Sequence, residues 1–103
     1  MSEIVEKAEK YVSDLLQDEL DTKFLYHNLR HTQRVVKSTK ELLNYYNLGD
    51  TVNEKLLLAA WFHDTGYTKG VETHEKKSCG IARDFLDAEH YSSEDSNTIC
   101  DII

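Results

Sequence analysis

The chain has no proline, only four glycines and two cysteines, and nowhere a long unbroken apolar run. Without proline, little forces the backbone out of helical geometry, and so few glycines leave little room for the tight turns of an all-β protein. A membrane span needs roughly 18–20 consecutive apolar residues, and no segment approaches that length. The opening "MSEIVEKAEK" is too charged for a signal peptide, so the cytoplasm is the expected compartment and no membrane partner is expected. Cys79 and Cys100 lie outside any CxxC pattern. Neither a zinc ribbon nor a disulfide framework is indicated, and both are expected as core or surface thiols.

What is present fits one soluble globular domain over residues 1–103, with 40% hydrophobic and 30% charged residues. The net charge of −7 argues against a nucleic-acid partner, because a phosphate backbone repels it. Its distribution is uneven: residues 1–21 carry −5, residues 22–48 carry +4 and residues 49–103 carry −6. Only the second segment is basic. The sequence leaves room for a homo-oligomer and does not specify one.

Apolar residues recur at three- and four-residue spacing, which predicts an all-α fold of about five helices. The first spans 3–20 through Val5, Ala8, Val12 and Leu16, and the second spans 28–47 through Val35, Val36, Leu42, Leu43 and Tyr46, closed by the glycine of "NLGD". A third is expected over about 51–64, capped by Asp50 or Thr51 with Glu54 completing a capping box, and stopped by Gly66. Thr73 is expected to cap a fourth helix that contains Gly80, and Ser92 with Asp95 to open a fifth. The final "CDII" breaks off in mid-pattern, which reads as a cut.

Chemistry enters where the most apolar run, "LLLAAWF", ends on His63 and Asp64. His31 lies on the apolar stripe at the start of the second helix, and His74 precedes Ser78, Ile81 and Phe85 on the stripe of the fourth. If consecutive helices alternate in direction, three histidines and one aspartate gather at one end of the bundle. A buried carboxylate needs a cation or strong donors to offset its desolvation. Imidazole and carboxylate without thiolate suit Mn²⁺, Fe²⁺, Co²⁺ or Zn²⁺, with Mg²⁺ where oxygen and water complete the sphere. Such an ion lowers the pKa of bound water and polarises a phosphoryl oxygen.

Together "YHNLRHT" (26–32), "WFHDTGY" (61–67) and "HEKKS" (74–78) resemble the HD-domain superfamily of metal-dependent phosphohydrolases, over about residues 24–103. The resemblance implies a helical domain in which a first histidine, a His-Asp doublet and a distal aspartate hold a divalent cation, matched by His31 and by His63 with Asp64. It implies a place for His74 in a second metal site, and phosphate esters, nucleotides among them, as substrates. The distal aspartate has no good match, since Asp101 stands among isoleucines too soon after the doublet.

Asp64 is the expected acceptor of a proton from metal-bound water, with His63 beside it as the second catalytic residue. Arg34, Lys69 and Lys77 are candidates for binding substrate phosphate; Arg34 is also readable as part of a solvated helix face, and the commoner reading of the two lysines is as flexible surface cations. His27, four residues before His31, is expected near the helix start, and Glu75 either orients His74 or complements a helix dipole. Two other functions remain open: a catalytically incomplete domain that binds a nucleotide or a partner, and a non-haem iron oxygenase built on two histidines and one carboxylate.

Overall fold

A computed structural model of the chain describes residues 3–19, 29–69 and 73–103. The described residues form five α-helices and one 3-10 helix: α1 (Glu3–Glu19), α2 (Leu29–Tyr46), α3 (Asp50–Phe62), the 3-10 helix (Thr65–Lys69), α4 (His74–Ala88) and α5 (Ser93–Ile102). The all-α expectation holds. His27 and residues 26–28 of the first motif lie outside the described residues.

The bundle is organised around α3. Six consecutive residues, Leu57 to Phe62, are buried, so this helix has no polar face along its second half and must be surrounded. It packs against α1, α2, α4 and α5. Val5, Ala8, Val12 and Leu16 of α1 supply one wall, Val36 and Leu43 of α2 another, and Ile81, Ala82, Phe85 and Leu86 of α4 a third; Ile99 of α5 closes the core. Tyr11, Phe62 and Phe85 meet in tilted ring contacts, with centroids 5.1 to 6.1 Å apart. Such contacts add to the area term that dominates the core energetics.

Several local expectations are corrected. Leu42 and Tyr46 face solvent; the buried positions of α2 are Thr32, Val36 and Leu43. That narrower stripe suffices because α2 covers only one side of α3. Asn47, not Gly49, takes the left-handed position that closes α2, its φ of 50° letting its N–H reach the Leu43 carbonyl at 3.0 Å. Gly49, at φ 95°, is the N-cap of α3, and no side-chain cap bond forms there. Glu54 makes no capping box because the N-cap is Gly49, which puts Val52 at the third helical position; its carboxylate instead accepts the Tyr91 phenol hydrogen bond at 2.9 Å. Thr73 is the N-cap of α4, with left-handed φ and no side-chain cap bond. Ser92 behaves as expected and accepts the Asp95 N–H at 3.1 Å.

The largest correction concerns the cysteines. Cys79 on α4 and Cys100 on α5 form a disulfide across Cα atoms 5.2 Å apart. The turn between α4 and α5 folds the two helices back on each other, a proximity that sequence spacing cannot announce.

Candidate metal centre

The apolar run of α3 ends because the backbone turns at His63 and Asp64. His63 keeps right-handed helical geometry as the C-cap, and the chain then tightens into the 3-10 helix, where the Tyr67 N–H reaches the Asp64 carbonyl at 3.2 Å. Threonine hydroxyls take the carbonyls that this change of helix type would otherwise strand: Thr65 donates to Phe62 and Thr68 to Thr65, both at 2.8 Å.

Gly66 does not stop α3, which has already ended four residues earlier. Its role is close approach. A Cβ there would collide with the His74 carbonyl oxygen and come within 2.8 Å of the Ser78 backbone nitrogen and hydroxyl. The bare glycine lets the turn dock on α4. Ser78, fully buried, accepts the Gly66 N–H at 2.7 Å and donates to the His63 carbonyl at 3.0 Å.

These constraints place His63 and Asp64 opposite the start of α2. Asp64 is only 5% exposed, and its Oδ2 lies 3.3 Å from Nε2 of His31 and 3.3 Å from Nε2 of His63. One donor atom from each of the three residues falls within 4.8 Å of the others. The Nδ1 of His63 sits 2.6 Å from the Ala60 carbonyl, which only accepts, so Nδ1 carries a proton and donates it. In the neutral ring Nε2 then presents its lone pair toward the carboxylate, and a cation between them resolves that opposition. In the bare chain burial opposes protonation of His63, but the hydrogen bond to Asp64, the Ala60 carbonyl and the Asp64 charge outweigh it, and the imidazole pKa is raised. Two imidazoles and one buried carboxylate thus fit a divalent cation, with coordination positions to spare.

Among the described residues this close group has three members. His74 is not one of them: its ring stacks on Tyr67 with centroids 4.4 Å apart, and its Nε2 lies 3.9 Å from Glu75. Partial burial and the Asp64 and Glu75 charges push the Tyr67 phenol above its ordinary pKa. Arg34 is exposed on α2, and Lys69 is exposed at the end of the 3-10 helix, where its carbonyl accepts from the Lys77 ammonium at 3.0 Å. Asp101 is exposed on α5 and stands outside the group.

The HD-domain model matches residues 28–103, which contain the whole three-residue group. The chain belongs to the HD-domain family. HD domains are metal-dependent phosphohydrolases as a class, and they bind divalent metals and act on small phosphate esters. No curated protein and no solved structure matches the chain significantly. Among the described residues of this HD domain, no helix is long and apolar enough to cross a membrane. Sequence reasoning missed Ser78, Gly66 and the Ala60 carbonyl as the supports of the site. Only the serine four residues after His74 hinted at them.

Proposed function

We propose that this HD domain is a phosphohydrolase that uses a divalent cation held by His31, His63 and Asp64 to hydrolyse a phosphate ester of the nucleotide class. The observation that carries the reading is the buried Asp64 carboxylate with two imidazole Nε2 atoms on one of its oxygens, one ring turned by a backbone carbonyl so that its lone pair points inward. When bound, the cation supplies an activated water and polarises the phosphoryl oxygen. Asp64 takes the proton of the attacking water, and His63, anchored on Ala60, keeps that carboxylate oriented. Arg34, Lys69 and Lys77 supply positive charge for the substrate phosphate, and His74, stacked on Tyr67, serves a second cation.

A binding-module reading is favoured by one observation: among the described residues no second carboxylate joins the group. Elemental analysis of the chain purified without chelator, beside its His63→Ala variant, separates the outcomes. Stoichiometric metal that disappears in the variant, with turnover of p-nitrophenyl phosphate or its diester, supports the hydrolase. Saturable nucleotide binding without turnover that survives His63→Ala and does not depend on metal supports the module. A folded chain that takes up no divalent cation sinks the hydrolase reading.

A further inference from the structure

The half of α4 that holds the metal-site turn is the weak half of that helix. From His74 to Gly80 no apolar side chain is buried, whereas Ile81, Ala82, Phe85 and Leu86 are all buried in the half that follows. The helix starts on a left-handed residue without a side-chain cap bond. Gly80 lies inside it, and a Cβ there would meet nothing within 4 Å. An interior glycine costs about 1 kcal/mol relative to alanine. What fixes this segment is Ser78, bonded to Gly66 and His63, the stack of His74 on Tyr67, the exposed hydrogen bond from Lys77 to the Lys69 carbonyl, and the disulfide at Cys79, which ties it to Cys100 of α5. Helix α5 is itself secured to α3 through the fully buried Ile99 and the Lys55–Asp95 ion pair at 2.8 Å.

We propose that the Cys79–Cys100 disulfide is a redox input to the metal centre, transmitted through Ser78 to the His63–Asp64 turn, an inference that rests on His31, His63 and Asp64 being cation ligands. With the bond intact, α4 is held in register at Ser78, and both hydrogen bonds to the turn persist. Reduction removes the covalent tie to α5 and leaves the segment from 73 to 80 held by the Ser78 hydrogen bonds, the His74–Tyr67 stack and the exposed Lys77 link, so it opens locally more often, and each opening releases the His63 carbonyl and the Gly66 N–H. The contact at Gly66 has no slack, so small displacements of α4 reach the ligands.

Both cysteines are half-buried, within reach of a small thiol or disulfide. Oxidation uses a small-molecule disulfide of the oxidised glutathione class. One cysteine thiolate attacks a sulfur of that disulfide and expels the first small thiol. The second cysteine then displaces the other, transferring its proton to the leaving thiolate, so two protein thiols are oxidised and one disulfide is reduced to two thiols. By linkage, any factor by which oxidation tightens the cation is the factor by which the cation favours the disulfide.

Calorimetric titration of Mn²⁺ alone into the full chain tests this in both redox states, with thiols counted, the reductant removed and folding checked by circular dichroism. Reduction is expected to weaken Mn²⁺ binding by about fivefold or more. The Cys79→Ser/Cys100→Ser double variant should match the reduced chain and ignore oxidised glutathione; should it not fold, the reduced wild type provides the same comparison. Ser78→Ala should bind as weakly when oxidised as when reduced. A second readout is the glutathione equilibrium of the cysteines, which Mn²⁺ should shift toward the disulfide by the same factor. Equal Mn²⁺ affinity in the two redox states of a folded chain overturns the inference alone, as does a redox difference that survives Ser78→Ala. No Mn²⁺ binding in either state overturns the ligand assignment and this inference with it.

Discussion

The two ends of the α2–α3 hairpin invert each other. Where α2 begins and α3 ends, polar groups are buried: Thr32, Asp64, Thr65 and, from α4, Ser78. Where α2 ends and α3 begins, large apolar groups face solvent, with Tyr45 at 81% and Leu42 at 58% exposure and Tyr46, Leu48 and Val52 beside them. The first end is held by short buried hydrogen bonds through Ser78, the second by half-exposed polar links, Lys55 to Asp95 and Tyr91 to Glu54. Burying polar groups costs stability unless each is satisfied. Buried titratable groups cluster at functional sites, and of the two ends only the first buries a carboxylate beside two imidazoles, so the difference points to the site.

The comparison breaks most visibly with Asp64. Asp64→Ala should weaken divalent-cation binding by more than about 100-fold, since even groups that merely orient ligands contribute 10–100-fold; calorimetric titration measures it. The same cation at a concentration of about 100 times its Kd should stabilise the wild-type chain by about 2.7 kcal/mol. Thermal unfolding with and without chelator would show that gain, and Asp64→Ala should lack it.

Gly66→Ala comes next. The added methyl meets backbone atoms of α4, not a flexible side chain, so a loss of about 2 kcal/mol is expected from urea unfolding of the metal-free chain. An unchanged midpoint would mean that α4 can retreat from the turn without penalty.

At the other end the effects should be small. Lys55 first, and then Ser92, lower the Asp95 pKa below its usual 3.8. A carboxylate depressed on folding stabilises above its unfolded pKa and loses that contribution as pH falls through its folded pKa. Any stability gap between wild type and Asp95→Asn should therefore be present at about pH 5 and close by about pH 2. Smallest of all, Tyr45→Ser should change stability by less than about 0.5 kcal/mol, as surface substitutions do. A loss several times larger would show that the apolar end is covered in solution and that the contrast between the two ends is only apparent.

Much of this was legible in the sequence because it is local. Apolar spacing announced the helices, and the fall of His31 and His63 at helix ends announced where they would meet. The Ser92 cap was readable because its partner, Asp95, is three residues away. Glu54 was misread because α3 is capped at Gly49 and not at Thr51, which leaves that carboxylate to a phenol 37 residues downstream. Leu42 and Tyr46 were misread because periodicity gives a direction but not the width of the surface a helix must cover.

The sequence by itself determined the fold class and the family and nominated four donor residues, three of which lie together, because side-chain periodicity and residue chemistry are fixed by covalent structure and short-range geometry. Tertiary structure alone decided the rest. It set His74 against Tyr67 and outside the donor group, joined Cys79 to Cys100, and made Ser78 the support of the His63–Asp64 turn. Each of these depends on how α4 sits against the 3-10 helix and α5, a relation fixed by packing between segments far apart in the chain, which no local pattern encodes.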